Sequence, residues 1–283
     1  MELRLNFALE GFRLLKARPK LLLFWGLVCL FGYGICALLL VAIVGPHHGD
    51  ILAFNKKQDD VALALLIAGR IFTALAACTP VYLITSTVLI CAICRASLEA
   101  GDDRLGYLRF GLTELRVLAV QAATFGLSVG LFWAVAIAWS ILGLPVQFTP
   151  IGIFIAFLAV AWLRLRLSLN AVQSFATRRV DIFGSFQLTR GRSIALLGGY
   201  LLAFGLSMIV SYLSEAAIDG VTLLAFGQQQ ANIPLNLTSL DAFLTPPRVV
   251  ILVLWLGLAW PQTTAIIHGA PVAAYRDIAG IKP

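Results

Sequence analysis

The chain has 283 residues, of which 60% are apolar and 12% are charged, and its mean hydropathy is +0.92. A soluble domain would need about twice that share of charged residues on its surface, so a soluble protein is excluded. The net charge of +7 does not favour nucleic acid as a partner, because the charges lie in short clusters between apolar runs of about 20 residues. The composition predicts an all-α integral membrane protein.

Residues 1–20 form the first predicted element. Leu3, Phe7 and Leu14 fall on one helical face and charged residues fall on the others. This pattern is typical of a short amphipathic helix at a membrane interface, which would end near Pro19. A cleaved signal peptide is the alternative, but no small-residue cleavage site follows the apolar stretch. We therefore expect an uncleaved N-terminus on the cytoplasmic side.

The remaining residues, 21–283, are predicted to form one transmembrane domain of six helices, since a helix that spans a bilayer needs about 20 apolar residues. The predicted spans are 21–44, 71–94, 117–142, 151–169, 193–218 and 249–274. For the second span, a long tilted helix that begins at Val61 is the alternative. We favour a start near Ile71, because it lets Arg70 reach water.

Lysine and arginine are distributed unevenly between the two predicted sides of the membrane. Seventeen of the 21 fall on the side that holds both termini. The other four, Lys56, Lys57, Arg70 and Arg248, fall on or near the opposite side. Because short cytoplasmic loops carry an excess of these residues, the distribution predicts that both termini are cytoplasmic.

Three segments on the predicted cytoplasmic side, residues 2–18, 96–116 and 177–192, combine arginine with an amphipathic pattern, and we call them the basic collar. A basic residue near an anionic membrane surface gains about 1 kcal/mol of attraction. The densest group is Arg178, Arg179, Arg190 and Arg192. These four are predicted to bind anionic phospholipids or a membrane or cytoplasmic protein partner. The alternative is that they only orient the chain, which requires no ligand.

Two predicted helices carry small residues at every fourth position. The third helix has Ala122, Gly126, Gly130, Ala134 and Ala138, and the fifth has Ala195, Gly199, Ala203, Ser207 and Ser211. Small residues at this spacing let helix backbones approach closely within a membrane. The pattern predicts that the two helices cross in direct contact, with Gly126, Gly130, Gly199 and Ala203 in the packing seam.

Three ionisable residues, Arg70, Glu215 and His268, interrupt the apolar helices. Ionisable groups inside a span often pair with one another and mark a functional site. An Arg70–Glu215 pair is therefore one prediction, and a small transporter or lipid translocator with a polar path near all three residues is the rival function. The alternatives are an arginine that extends to the interface and a hydrogen-bonded interfacial histidine.

The five cysteines all lie inside apolar runs, so no disulfide framework is indicated. Cys91 and Cys94 have the spacing of redox and metal pairs, but without a second pair or a nearby histidine they are interpreted as structural residues. The sequence contains no nucleotide-binding loop, Ser-His-Asp order or His-Glu-x-x-His motif. We expect no catalysis, no metal and no other cofactor.

Three motifs resemble segments of known membrane proteins. They are SFQLTRGR at 185–192, GAPVAAYRD at 269–277 and YLRFGLTELR at 107–116. The first two look like uncharacterised bacterial inner-membrane proteins related to the membrane domain of some glycerophosphoryl diester phosphodiesterases, and the third is similar to segments of alphaproteobacterial hypothetical membrane proteins. The resemblance implies a multi-pass protein of the bacterial inner membrane without the phosphodiesterase catalytic domain, and it gives no catalytic residues.

Overall fold

The computed structural model of the chain describes residues 5–51, 61–99, 105–143, 145–227 and 236–280. Within these ranges the chain is helical, with no strand. The helices are α1 Glu10–Ala17, α2 Leu21–Val44, α3 Val61–Leu98, α4 Leu112–Ile141, α5 Thr149–Arg166, α6 Asn170–Thr177, α7 Gly184–Leu188, α8 Ser193–Phe226, α9 Leu240–Phe243, α10 Pro246–Leu254 and α11 Trp260–Ala279. A π-helical turn, Trp255–Ala259, joins α10 to α11.

Among the described residues, six helical stretches are long and apolar enough to cross a membrane, as predicted. They are Leu21–Ile51, Val61–Leu98, Leu112–Ile141, Thr149–Thr177, Ser193–Phe226 and Pro246–Ala279. Many of their large apolar side chains point outward, and Leu224, Ile194 and Ile141 are 89%, 88% and 78% exposed. Such exposure on many sides would be unfavourable in water and suits contact with lipid.

The helix that contains the second predicted span begins before Ile71. The structure has one uninterrupted helix, α3, which begins at Val61 and runs through Arg70 and Pro80. The residues before Arg70 are mostly alanine, leucine and isoleucine, which favour or tolerate helix, so nothing there breaks the backbone. The helix of the fifth predicted span, α8, likewise continues past residue 218 to Phe226.

The last span contains a π-helical turn whose cause is visible in the sequence. Pro261 has no backbone N–H, so the Gly257 carbonyl loses the donor that a regular α-helix would supply. In the turn Trp255–Ala259, the Trp260 N–H donates to the Trp255 carbonyl, five residues back. Such insertions are a common way to carry a helix past an irregular position.

The described residues group into two compact units. The first unit draws on 1–16, 90–205 and 265–283, and the second on 17–89 and 206–264. Residues 2–4 and 100–104 of the basic collar, together with Lys56, Lys57 and Lys282, lie outside the described residues.

In the first unit, the N-terminal helix packs against the last helix. A methyl group on Gly11 would overlap the backbone carbonyl of Ala265, and one on Gly269 would meet the backbone of Gly11. An ion pair reinforces this crossing, because Arg276 donates to Glu10 at 2.9 Å. The predicted amphipathic helix therefore exists and ends at Ala17, but part of its apolar face is buried against protein.

In the second unit, α2 makes two close helix contacts. A methyl group on Gly26 would overlap the Gly257 carbonyl oxygen in the π-helical turn, and one on Gly32 would overlap the Thr85 side chain in α3. The ring of Tyr33 lies 5.1 Å, centroid to centroid, from Trp260. Small residues in a membrane helix permit such approaches, which strengthen dispersion contacts.

The predicted packing seam is formed on one helix only. In α8, Gly199 and Ala203 are buried, and Gly199 lies against the ring of Phe7. In α4, Gly126 and Gly130 are exposed and have open space where a side chain would begin. The predicted contact of these two glycines with α8 is therefore wrong, because at Gly199 the N-terminal segment occupies the face that α4 was expected to fill.

The contact at Gly26 gives the first testable prediction. Gly26→Ala should lower the free energy of unfolding by about 1–3 kcal/mol, because the new methyl group has only a rigid backbone carbonyl to displace. Gly34→Ala is the matched control on the same helix, where the added methyl group meets open space. Thermal unfolding in detergent should separate the two variants. Equal stability for both would contradict the close α2 contact.

Candidate functional site

The arginine-rich segment between α5 and α8 is ordered by hydrogen bonds to the end of α5. The Ser185 hydroxyl donates to the Arg166 carbonyl at 2.8 Å and accepts from the Leu169 N–H at 3.2 Å. The Arg166 guanidinium donates to the Phe186 carbonyl at 3.0 Å and lies 5.1 Å from the centroid of that ring. Arg166 is therefore used in folding the segment.

The one acid of this segment, Asp181, closes the turn between α6 and α7. Its carboxylate accepts from the Gly184 N–H at 2.7 Å and from the Gln173 side-chain amide at 2.9 Å. A side chain on Gly184 would overlap the carboxylate, so glycine is the residue that fits there. These contacts hold the residues between the two helices, including Arg178 and Arg179, in a defined turn.

A buried ion pair lies beside this turn. Arg95, at the end of α3, donates to the Glu114 carboxylate in the first turn of α4. Only 6% of Arg95 and 2% of Glu114 is exposed. Arg95 also donates to the Tyr107 carbonyl at 3.1 Å, and its guanidinium lies 5.5 Å from the centroid of the Phe175 ring. Buried charges need such complete pairing, because unpaired ones cost several kcal/mol.

The loop that supplies the Tyr107 carbonyl has an unusual backbone. Gly106 and Tyr107 both have positive φ, 67° and 63°. Glycine adopts this region freely, but a bulky side chain such as tyrosine does so rarely. The Tyr107 side chain is buried, so packing and the hydrogen bond to Arg95 hold the residue in a conformation that it would not otherwise favour.

A cavity of about 370 Å³ opens beside the ion pair. Its lining combines three arginines, two glutamates and the start of α4. The lining residues are Arg95, Glu99, Arg109, Phe110, Gly111, Thr113, Glu114, Phe175 and Arg178. We call it the basic cavity.

The start of α4 adds positive potential to the basic cavity. Gly111 is the N-cap residue and offers no side chain to accept from the first backbone N–H groups of the helix. These groups carry the positive end of the helix dipole, and Glu114 already lies near them. Backbone donors at a long helix, together with Arg109 and Arg178, make a setting that suits a phosphate group.

The four predicted arginines of the collar do not form one cluster in this cavity. Arg178 lines the basic cavity, and among the described residues it makes no ion pair. Arg179 lines a neighbouring open depression with Thr177, Val180 and Asp181. Arg190 is exposed and Arg192 is half-buried, and neither lines the basic cavity.

The residues of the predicted polar path all lie in the described part of the chain. Arg70 and Glu215 are both exposed, and no ion pair forms between them within the described residues. His268 is half-buried in α11 and belongs to the first unit, whereas Arg70 and Glu215 belong to the second. A transporter function that uses these residues stays a prediction.

Sequence reasoning missed Arg95, Glu114 and Phe175 as parts of a site. A signal existed for Glu114, since glycine followed three residues later by an acid is typical of a helix start. Nothing in the sequence pairs it with Arg95, which looked like one of several arginines that follow an apolar run. Nothing in the sequence distinguishes Phe175 from the other residues between the fourth and fifth predicted spans.

The chain matches no family model, no curated protein and no solved structure. The class of protein is therefore inferred from the fold. Six helices in the described residues are able to cross a membrane, which indicates a multi-pass membrane protein. The resemblance to the phosphodiesterase-related membrane proteins stays a prediction.

The backbone at Arg178 gives a second prediction. Arg178 has φ of 55° at the C-terminal end of α6, a position that favours glycine by about 1 kcal/mol. Arg178→Gly should therefore be at least as stable as the wild type in thermal unfolding. Its neighbour Arg179 does not have positive φ, so Arg179→Gly should lose about 0.5–1 kcal/mol. If Arg178→Gly were less stable than Arg179→Gly, Arg178 would not have the positive φ described for this turn.

Proposed function

We propose that this protein is a non-enzymatic, lipid-associated protein of the bacterial inner membrane that holds the headgroup of an anionic phospholipid in the basic cavity. The observation that carries the proposal is the meeting of Arg109, Arg178 and the N-terminus of α4 around an open cavity of about 370 Å³. Arg178 is the primary ligand residue, and the Arg95–Glu114 ion pair supports the wall of the cavity.

The chemistry of the cavity favours a phosphate that remains attached to a larger headgroup. Arginine donates two parallel hydrogen bonds to phosphate, and backbone N–H groups at a helix start donate further ones. The charge of Arg95 is offset by Glu114, so Arg95 fixes the wall of the cavity while the exposed Arg178 supplies the attraction. Glu99 is exposed at the same cavity and repels an anion, which predicts that its neutralisation strengthens binding.

The location of the cavity supports a lipid in preference to a soluble anion. The cavity lies where α3 ends and α4 begins, at the boundary between apolar helices and the arginine-bearing segments. Phe110 beside it is exposed, as suits a side chain near acyl chains. The uneven distribution of lysine and arginine favours the cytoplasmic leaflet, whose lipids are partly anionic.

Native mass spectrometry of the detergent-purified full chain tests the proposal. With added phosphatidylglycerol, the wild type should retain bound lipid, and Arg178→Gln should bind it about fivefold more weakly, which corresponds to about 1 kcal/mol for one arginine. Glu99→Gln should bind it more tightly. Arg70→Gln is the matched control, because it removes an exposed arginine that does not line the cavity.

Phosphatidylcholine provides the comparison that separates an anion site from general lipid adhesion. We expect weaker retention of this zwitterionic lipid by the wild type and little effect of Arg178→Gln on it. Equal loss of phosphatidylglycerol in Arg178→Gln and Arg70→Gln would contradict a specific site. If the wild type binds both lipids equally, the arginines only orient the chain.

A further inference from the structure

Two of the five cysteines, Cys36 in α2 and Cys78 in α3, face each other across a helix contact. The Cys36 thiol donates to the Cys78 carbonyl at 3.8 Å, and the Cys78 thiol donates to the Cys36 carbonyl at 3.5 Å. Each sulfur therefore lies over the backbone of the opposite residue. The two residues are 42 positions apart in the sequence, so only the fold brings them together.

The helices around this pair run antiparallel in close register. Gly32 lies against the Thr85 side chain, and the rings of Tyr33 and Tyr82 are 6.2 Å apart between centroids. From the Tyr33–Tyr82 contact, about one turn further along α2 and about one turn back along α3, the antiparallel arrangement places Cys36 opposite Cys78. Because Gly32 has no side chain, the two backbones approach closely near this pair, and each cysteine sulfur reaches the backbone carbonyl of the other cysteine.

Accessibility also distinguishes this pair. All five cysteines lie in the described part of the chain, and none is in a disulfide. Cys36 and Cys78 are half-buried, whereas Cys29, Cys91 and Cys94 are buried. A small oxidant in the surrounding lipid or detergent therefore reaches the facing pair more easily than the other three.

We propose that Cys36 and Cys78 are a redox modification site, at which a reversible disulfide links α2 to α3. The oxidant is a low-molecular-weight disulfide. One cysteine thiolate attacks it and forms a mixed disulfide, and one small thiol leaves. The second cysteine thiolate then attacks the mixed disulfide and releases the second small thiol. One sulfur–sulfur bond breaks in the oxidant, one forms in the protein, and the two cysteine protons end on the two small thiols.

The link does not depend on the proposed lipid function, because it lies in the second unit and uses no residue of the basic cavity. It would covalently close the chain between residues 36 and 78, which restrains the first two membrane helices relative to each other. Closing a loop of this length stabilises a fold mainly by restricting the unfolded chain. The oxidised protein should therefore unfold at a higher temperature than the reduced protein.

The test uses the full chain in detergent with 2,2′-dipyridyl disulfide as the oxidant, followed by intact-mass measurement and peptide mapping. The wild type should lose two hydrogen atoms, release two pyridinethiones per chain, and show a crosslinked peptide pair that contains Cys36 and Cys78. Dithiothreitol should restore the original mass. A wild type that gains only pyridylthio groups, or a crosslink that maps to another pair, would overturn the proposal.

Single-cysteine variants provide the controls. Cys36→Ser and Cys78→Ser should each form no crosslink and should carry one pyridylthio group on the remaining member of the pair. Cys91→Ser combined with Cys94→Ser should crosslink like the wild type, since these positions take no part. Should the disulfide persist in Cys36→Ser, the assignment is wrong. If a variant does not fold, the peptide mapping of the oxidised wild type still tests the proposal.

Discussion

The buried ion pair between Arg95 and Glu114 is the interaction on which the basic cavity depends. It joins the end of α3 to the first turn of α4, and it also contacts the Tyr107 carbonyl before α4 and the Phe175 ring in α6. A guanidinium that is 6% exposed loses most of its hydration, and only complete pairing offsets that cost. The surrounding backbone is arranged to complete this pairing, including the positive φ of Tyr107.

The arginines of the chain consequently divide into two kinds. Arg95, Arg166 and Arg276 donate to backbone carbonyls or carboxylates, and they hold elements together. Arg178, Arg179 and Arg190 are exposed at the ends of short helices. An arginine whose donors are already used contributes structure, whereas an exposed one with open donors is available to an anion. The proposed function of the collar therefore depends on its exposed members.

Much of the fold was predictable from the sequence, and for a simple reason. The bilayer sets the length of a spanning helix, so apolar runs of about 20 residues predict the six helices, and α2 begins and ends where its run does. The helix ends were less predictable where the apolar sequence continues beyond one span, as in α3. Apolar residues such as leucine and alanine favour both contact with lipid and a longer helix, so the sequence shows no boundary there. Composition cannot say where the membrane ends within such a helix.

The contacts between helices were predicted less well. Gly126 and Gly199 occupy equivalent rows of small residues, yet Gly126 is exposed and Gly199 lies against Phe7. A small residue permits close approach but does not name its partner. The same holds for charge, since Arg95 and Glu114 are 19 positions apart and each resembles an ordinary interfacial residue. Only the folded chain identifies such partners, and it identified Cys36 and Cys78 in the same way.

A double-mutant cycle on the ion pair tests its central role most directly. Arg95→Met, Glu114→Leu and the double variant would be compared by the free energy of unfolding in mixed detergent micelles. Each single variant should lose about 3–5 kcal/mol, because it leaves one buried charge without its partner. The double variant should lose much less than the sum of the two. If the two losses simply add, the charges do not depend on each other, and the basic cavity is not built on this pair.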